Sequence, residues 1–149
     1  MTDLGINVNQ NNRDSGYSMH DLISRLYPIC RSITGNGVRK TLSIIKEIIP
    51  LNAVEVPSGT KVLNWEVPDE WNITDAWIKD PDGKKILDFK QLNLHVLNYS
   101  TPIDKEVDLN ELKSHIYTLP EHENWVPYRT SYYSRKWGFC MSHKQFLGL

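Results

Sequence analysis

Cysteine is scarce in this chain: Cys30 and Cys140 are the only two among 149 residues. They sit in no CxxC or other ligand spacing, so neither a thiolate metal cluster nor a disulfide-stapled scaffold is indicated, and both read as reduced, buried thiols. An excess of one charge is also lacking. Seventeen Lys and Arg stand against 18 Asp and Glu, a net charge of −1, which argues against a long nucleic-acid footprint or a polybasic membrane surface. No apolar run approaches the ~20 residues of a membrane span. The opening MTDLGINVNQNNRDSG lacks the basic-then-apolar order of a secretory signal, so a cytoplasmic location is expected. There is no HExxH, GxSxG or phosphate-binding loop, and the five histidines are scattered.

What is present is ordinary globular composition, with 40% hydrophobic and 23% charged residues, enough for one core. The fold class expected is α+β, a helical start followed by a β-rich body. Residues 1–16 are polar and Asn-rich and read as a disordered tail. A helix is expected from an N-cap at Ser18, with Asp21 three residues on and Met19, Leu22, Ile23 and Leu26 as its stripe. Pro28 ends it. After RSITGNGVRKT, a second helix carries Val38, Leu42, Ile45 and Ile49, widened by Ile44 and Ile48, and Pro50 stops it. The helical segment is thus 17–50 and the β-rich part 51–149.

In that second part AVEV and KVLNW are strand candidates. Trp71, Ile73, Asp75 and Trp77 alternate with Asn72, Thr74, Ala76 and Ile78, and DPDG then turns the chain back into KKILDF, a hairpin centred on Asp82–Gly83. LNLHVLNYS reads as a central strand. Asp108 with Glu111, and Ser142 with Gln145, have capping-box spacing for two short helices. The first of these buries Leu109, Leu112 and Ile116. WGFCM is a further strand. The last helix would be cut off at Leu149 within its first two turns, as expected of a fragment.

No catalytic set emerges by spacing. His95 alternates with apolar residues and reads as a satisfied core histidine. His115 lies off the apolar stripe of its helix, at the surface or boundary. His122 sits in the acidic loop PEHEN, which reads as a solvated loop ahead of a cation-attracting one, and His143 opens the last helix beside Cys140, where a metal or substrate role is the less favoured reading. YRTSYYSRKWGF is denser: Arg129, Arg135 and Lys136 interleave with Tyr128, Tyr132, Tyr133 and Trp137, a pattern able to hold carboxylates or stack planar groups. The alternative is a loop that packs its tyrosines on the core.

The ordered phrases LYPICRSITGNGVRKTLSIIKEIIP, VPSGTKVLNWEVPDEWNITDAWI, LHVLNYSTPID and WVPYRTSYYSRKWGFCMSH resemble one bacterial family over about Tyr17 to Leu149. That family joins an aminopeptidase-type zinc peptidase domain, an inserted β-rich domain of unknown function and a C-terminal winged helix-turn-helix. The resemblance implies that this chain is the N-terminal part: the first helices of an α/β zinc-peptidase-like domain and much of the inserted domain. It implies a parent in which two zinc ions activate water beside a carboxylate base. No zinc ligand carries over to any position of this chain, which is expected to bind none and to be inactive alone. Its expected partners are the remainder of the peptidase domain and a peptide-like or small-molecule substrate, with no nucleic acid or membrane. Substrate contacts fall on Arg31, Arg129, Tyr132 and His143. In the turn, Gly35 and Gly37 allow the reversal, Thr34 or Asn36 caps the second helix, and Arg31 hydrogen-bonds the domain body or a carboxylate. A reading of another class is a non-catalytic β-rich module that binds a small ligand or a protein.

Overall fold

The computed structural model describes residues 8–132 and 134–149. Two units divide at Asp69/Glu70. The elements mix four helices with three two-stranded pairs among the described residues, an α+β architecture.

In the first unit, α1 spans Val8–Leu26. It starts ten residues before Ser18, so the polar stretch before Gly16 is helical from Val8; the earlier residues of the expected tail lie outside those described. Asn, Gln, Arg and Asp cost a helix only tenths of a kcal/mol each, and no proline interrupts this run. Ser18 is then interior, and its hydroxyl donates back to the Asp14 carbonyl at 2.9 Å. Pro28 does end the helix, through a last bond from Tyr27 N–H to the Ile23 carbonyl. Helix α2 runs Asn36–Lys46 and stops short of Pro50, leaving Ile48 and Ile49 exposed beyond it. Arg25 and Glu47 form an exposed ion pair at 2.5 Å. KVLNW folds back on itself: β1 (Lys61–Val62) and β2 (Trp65–Glu66) pair antiparallel around Leu63, whose φ is +55°. AVEV forms no strand.

The second unit holds every buried hydrophobic residue among those described. Strands β3 (Trp77–Lys79) and β4 (Lys85–Asp88) form the expected hairpin, closed at Asp80–Gly83 with Gly83 at φ +81°. The alternating run before it is not a continuous strand, and the buried parity is that of Ile78, with Trp77 left exposed. A second correction falls on LNLHVLNYS. Asn93–His95 is a 3-10 turn, and only Val96 and Asn98 bridge to other segments. His95 is nonetheless a core histidine, its Nδ1 2.9 Å from the Cys140 carbonyl oxygen.

Helix α3 covers Leu109–Ser114, with the Asp108 carboxylate accepting from the Glu111 N–H. Ile116 lies past it, in β5 (Ile116–Tyr117), and Leu109 is exposed. Strand β5 pairs parallel with β6 (Phe139–Cys140). Helix α4 (His143–Leu147) begins in the full Ser142–Gln145 capping box. The core gathers Ile78, Leu87, Val96, Ile116, Phe139 and Met141, flanked by Trp71, Phe89, Leu112 and Trp137.

Gly138 allows this core to close. A Cβ there would meet the His115 carbonyl oxygen at 3.0 Å and Leu97 Cδ2 at 3.1 Å. Gly138→Ala should therefore cost about 1–3 kcal/mol by overpacking. Gly148→Ala, with its nearest neighbour at 3.4 Å, should stay within about 0.5 kcal/mol. Equilibrium urea denaturation of the two variants checks this.

The thiols differ in the same way. Burial pushes Cys140 up from 9.0 to about 11, only partly opposed by the nearby Arg129 charge and backbone N–H. Half-buried Cys30 is also raised by burial. A buried thiol held neutral stabilises the fold below its unfolded value near 9, and that contribution fades as pH rises from there towards 11. Iodoacetamide at pH 8 should label Cys30 in the native chain and Cys140 only after unfolding, as peptide mapping will show.

Candidate functional site

The densest polar construction in the second unit is built around a turn. Leu97, Asn98, Tyr99 and Ser100 reverse the chain, with the Ser100 N–H donating to the Leu97 carbonyl at 2.9 Å. Tyr99 takes φ +64°, in the left-handed region that bulky side chains avoid. Its neighbours hold it there. Buried Ser131 donates its hydroxyl to the Tyr99 carbonyl at 3.0 Å, and its N–H to the Asn98 carbonyl at 2.8 Å. Trp71 Nε1 donates to the Ser100 carbonyl at 3.0 Å, and its ring stacks on Tyr99 at 5.7 Å. Tyr132 meets the Tyr99 ring edge-on at 4.9 Å.

This turn clasps both ends of the segment that follows Tyr128. The Asn98 N–H donates to the Arg129 carbonyl at 2.9 Å, and the Thr101 N–H to the Lys136 carbonyl at 3.1 Å. Between them, the Ser134 N–H returns to the Ser131 carbonyl at 2.8 Å. Arg129, Arg135 and Lys136 are all exposed on the loop so formed. Tyr133 lies outside the described residues.

Of the residues singled out in the sequence, Arg129 and Tyr132 thus share one loop. His143 stands apart at the start of α4, with Nδ1 3.0 Å from the Thr118 hydroxyl and its ring 6.0 Å from that of Phe146. Arg31, in the first unit, donates from Nη1 to the Leu26 carbonyl at 2.9 Å, closing the end of α1. Nearby, the Ser32 hydroxyl donates to the Thr34 carbonyl at 2.7 Å. Neither Thr34 nor Asn36 is the cap of α2. Gly35 holds that position at φ +94° without a side-chain bond, and Asn36 Oδ1 instead accepts from Arg39 Nη1 at 3.1 Å. A glycine supplies the positive φ that a capping hydroxyl residue would resist. At Gly37 a Cβ would fall 2.1 Å from the Cys30 carbonyl oxygen, so the loop closes directly on the first turn of α2.

Tyr99, Asn98 and Ser131 were not anticipated from the sequence. The polar triplet Asn98-Tyr99-Ser100 at the end of an apolar run is the one available signal, since no glycine marks the turn.

The fit of a metal can be tested on the donors themselves. Among the described residues no group of three or more His, Cys, Asp or Glu stands where it could hold an ion. His95 and His115 each place Nδ1 against a backbone carbonyl, and the His115 ring stacks on Trp137 at 3.6 Å. These residues do not form a zinc site. Among the described residues no helix is long and apolar enough to cross a membrane.

A Clostridium acetobutylicum protein named "Putative polysaccharide biosynthesis protein with aminopeptidase-like domain" is 51% identical over 137 residues, covering 92% of this chain. The chain spans about a third of that relative's length, 32%. The fold matches the crystal structure of a "putative peptidase" from the same organism, with a TM-score of 0.90 at 51% identity, over 94% of this chain and 33% of that one. Residues 70–149, which are the second unit, match the family described as "Domain of unknown function (DUF2172)", and the chain belongs to that family.

Proposed function

We propose that this chain is the N-terminal part of a longer, metal-dependent aminopeptidase-like hydrolase. In it the first unit is scaffold and the second supplies part of the substrate groove. The observation that carries the reading is the pairing of 51% identity across nearly the whole chain with coverage of only 32% of a relative named for an aminopeptidase-like domain. In this reading zinc is held by segments outside these residues, a winged helix-turn-helix belongs to the parent, and the substrate is peptide-like or a small molecule. Arg129 and Tyr132 face that substrate. Arg31, whose guanidinium is committed to the end of α1, supports the helix connection.

The surface of the first unit supports this reading. Met19, Ile23, Ile33, Ile48 and Ile49 are each at least half exposed, and α2 contains no buried residue. An amphipathic helix owes most of its stability to the packing of its apolar face. The cover proposed for these faces is the remainder of the peptidase domain. At roughly 1.5–3 kcal/mol per fully buried aliphatic side chain, covering two or three of them is comparable to the stability of a whole domain.

The 149-residue chain should therefore bind a hydrophobic dye and self-associate on sizing. It should take up no stoichiometric zinc in calorimetry and release no amino acid from aminopeptidase substrates. Tight zinc uptake with turnover would overturn the assignment of the ligands to other segments. A monomer that unfolds cooperatively without binding dye would overturn the scaffold role.

A further inference from the structure

Helix α2 ends at Lys46, and four residues later the chain enters residues 51–56, LNAVEV, bracketed by Pro50 and Pro57. This run forms no helix, strand or turn. None of its residues gives or takes a backbone–backbone hydrogen bond among the described residues. Its composition is not that of a linker in water: Val54 is 84% and Val56 52% exposed. β-Branched residues fit a helix poorly and suit the pleated surface of a sheet. Pro57 biases Val56 towards extended backbone, and strands are most often about five or six residues long. The run is also unguarded. Proteins blunt exposed strand edges with lysine, proline or a bulge, and residues 51–56 contain neither lysine nor proline. Their one charge, Glu55, is paired with Arg39, which donates from Nε to Oε1 at 3.0 Å and from Nη2 to Oε2 at 3.4 Å. Arg39 Nη1 is itself held on Asn36 Oδ1 at 3.1 Å. This forked contact ties the run to the first turn of α2. In a strand neighbouring side chains face opposite ways, so Val54 and Val56 would share the side away from Glu55.

We infer that residues 51–56 are a pairing strand whose partner is the edge of a β-sheet in the remainder of the longer protein, an inference that rests on the reading above that such a remainder exists. The neighbouring helix points to a sheet as the occupant. The four residues 47–50 between α2 and the run are a usual length for a connection from helix to strand. Helix α2 contains no buried residue, and Ile48 and Ile49 just beyond it are exposed. A helix joined closely to a strand packs its apolar face on the sheet that the strand enters. One sheet therefore meets both needs: its edge pairs the backbone groups of the run, and its face covers α2. In strand addition of this kind main-chain bonds give affinity and alternate side chains give specificity, here Val54 and Val56. A second copy of this chain fits less well. No sheet among the described residues is wider than two strands, so a copy offers an edge without a face broad enough for a helix.

The test is amide hydrogen–deuterium exchange over residues 51–56, on the longer protein and on the 149-residue chain. In the longer protein these amides, alternate ones or all of them, should exchange about a hundredfold or more slower than in the shorter chain, where they should exchange like an unfolded peptide. Val54→Asp/Val56→Asp in the longer protein should lower that protection about tenfold or more. The comparison of the two unmutated proteins decides the matter even where this variant fails to fold. Unprotected amides in the longer protein overturn the strand. Protection in the 149-residue chain that rises with its concentration, together with a dimer on sizing, gives the edge to a second copy and overturns the proposed occupant. Zinc content and aminopeptidase turnover are read on the same sample of the longer protein. Protection without either supports the strand and overturns only the hydrolase reading, whereas turnover without protection overturns the strand alone.

Discussion

The second unit depends on one close approach. Gly138 passes so near the Leu97 side chain and the His115 carbonyl that even a Cβ would press on them, at 3.1 and 3.0 Å. Around it the Leu97 N–H donates to the Gly138 carbonyl, the Phe139 N–H to His115 and the Met141 N–H to Tyr117. These bonds join three segments distant in sequence and bring Val96, Ile116 and Phe139 into one core. The same crossing sets the Tyr99 turn beside the segment 129–136. The Ser100 hydroxyl, which accepts from the Gly138 N–H, couples the turn to the glycine directly.

The two units obey different physics. The first is held by local hydrogen bonds, exposed ion pairs and a short ribbon, with no buried hydrophobic residue among those described. Exposed pairs such as Arg25–Glu47 contribute little, a median of about 0–1 kcal/mol, and a two-stranded ribbon is marginal in water. The second unit closes a core of its own, and this is the part recognised as a family domain.

The site follows from that contrast. Loops carry function when a rigid scaffold presents them. Here the Gly138 crossing and the strained Tyr99 turn fix the backbone at Arg129 and at Lys136, and Arg129, Arg135 and Lys136 are exposed. Four of the five histidines, His95, His115, His122 and His143, meet backbone carbonyls, a threonine hydroxyl or aromatic rings.

What the sequence determined by itself is local. The Asp108 and Ser142 caps, the stop after Leu26 before Pro28 and the reversal at Gly83 each rest on residues within a few positions of one another. So does the basic and aromatic character of residues 128–137, which is chemistry of composition and needs no fold. The helical start at Val8 escaped notice because weak propensities in a polar stretch add up without any apolar periodicity to reveal them. Tertiary structure alone decided the rest. Nothing near Gly138 announces Leu97 and His115 as its neighbours, nothing near Ile116 announces a parallel partner at Phe139, and no glycine marks the positive φ that Tyr99 takes between Asn98 and Ser100. Those features exist because contacts between distant segments outweigh local preference: a buried core and paired backbone groups repay a strained tyrosine and a two-residue strand that neither sequence neighbourhood would form on its own.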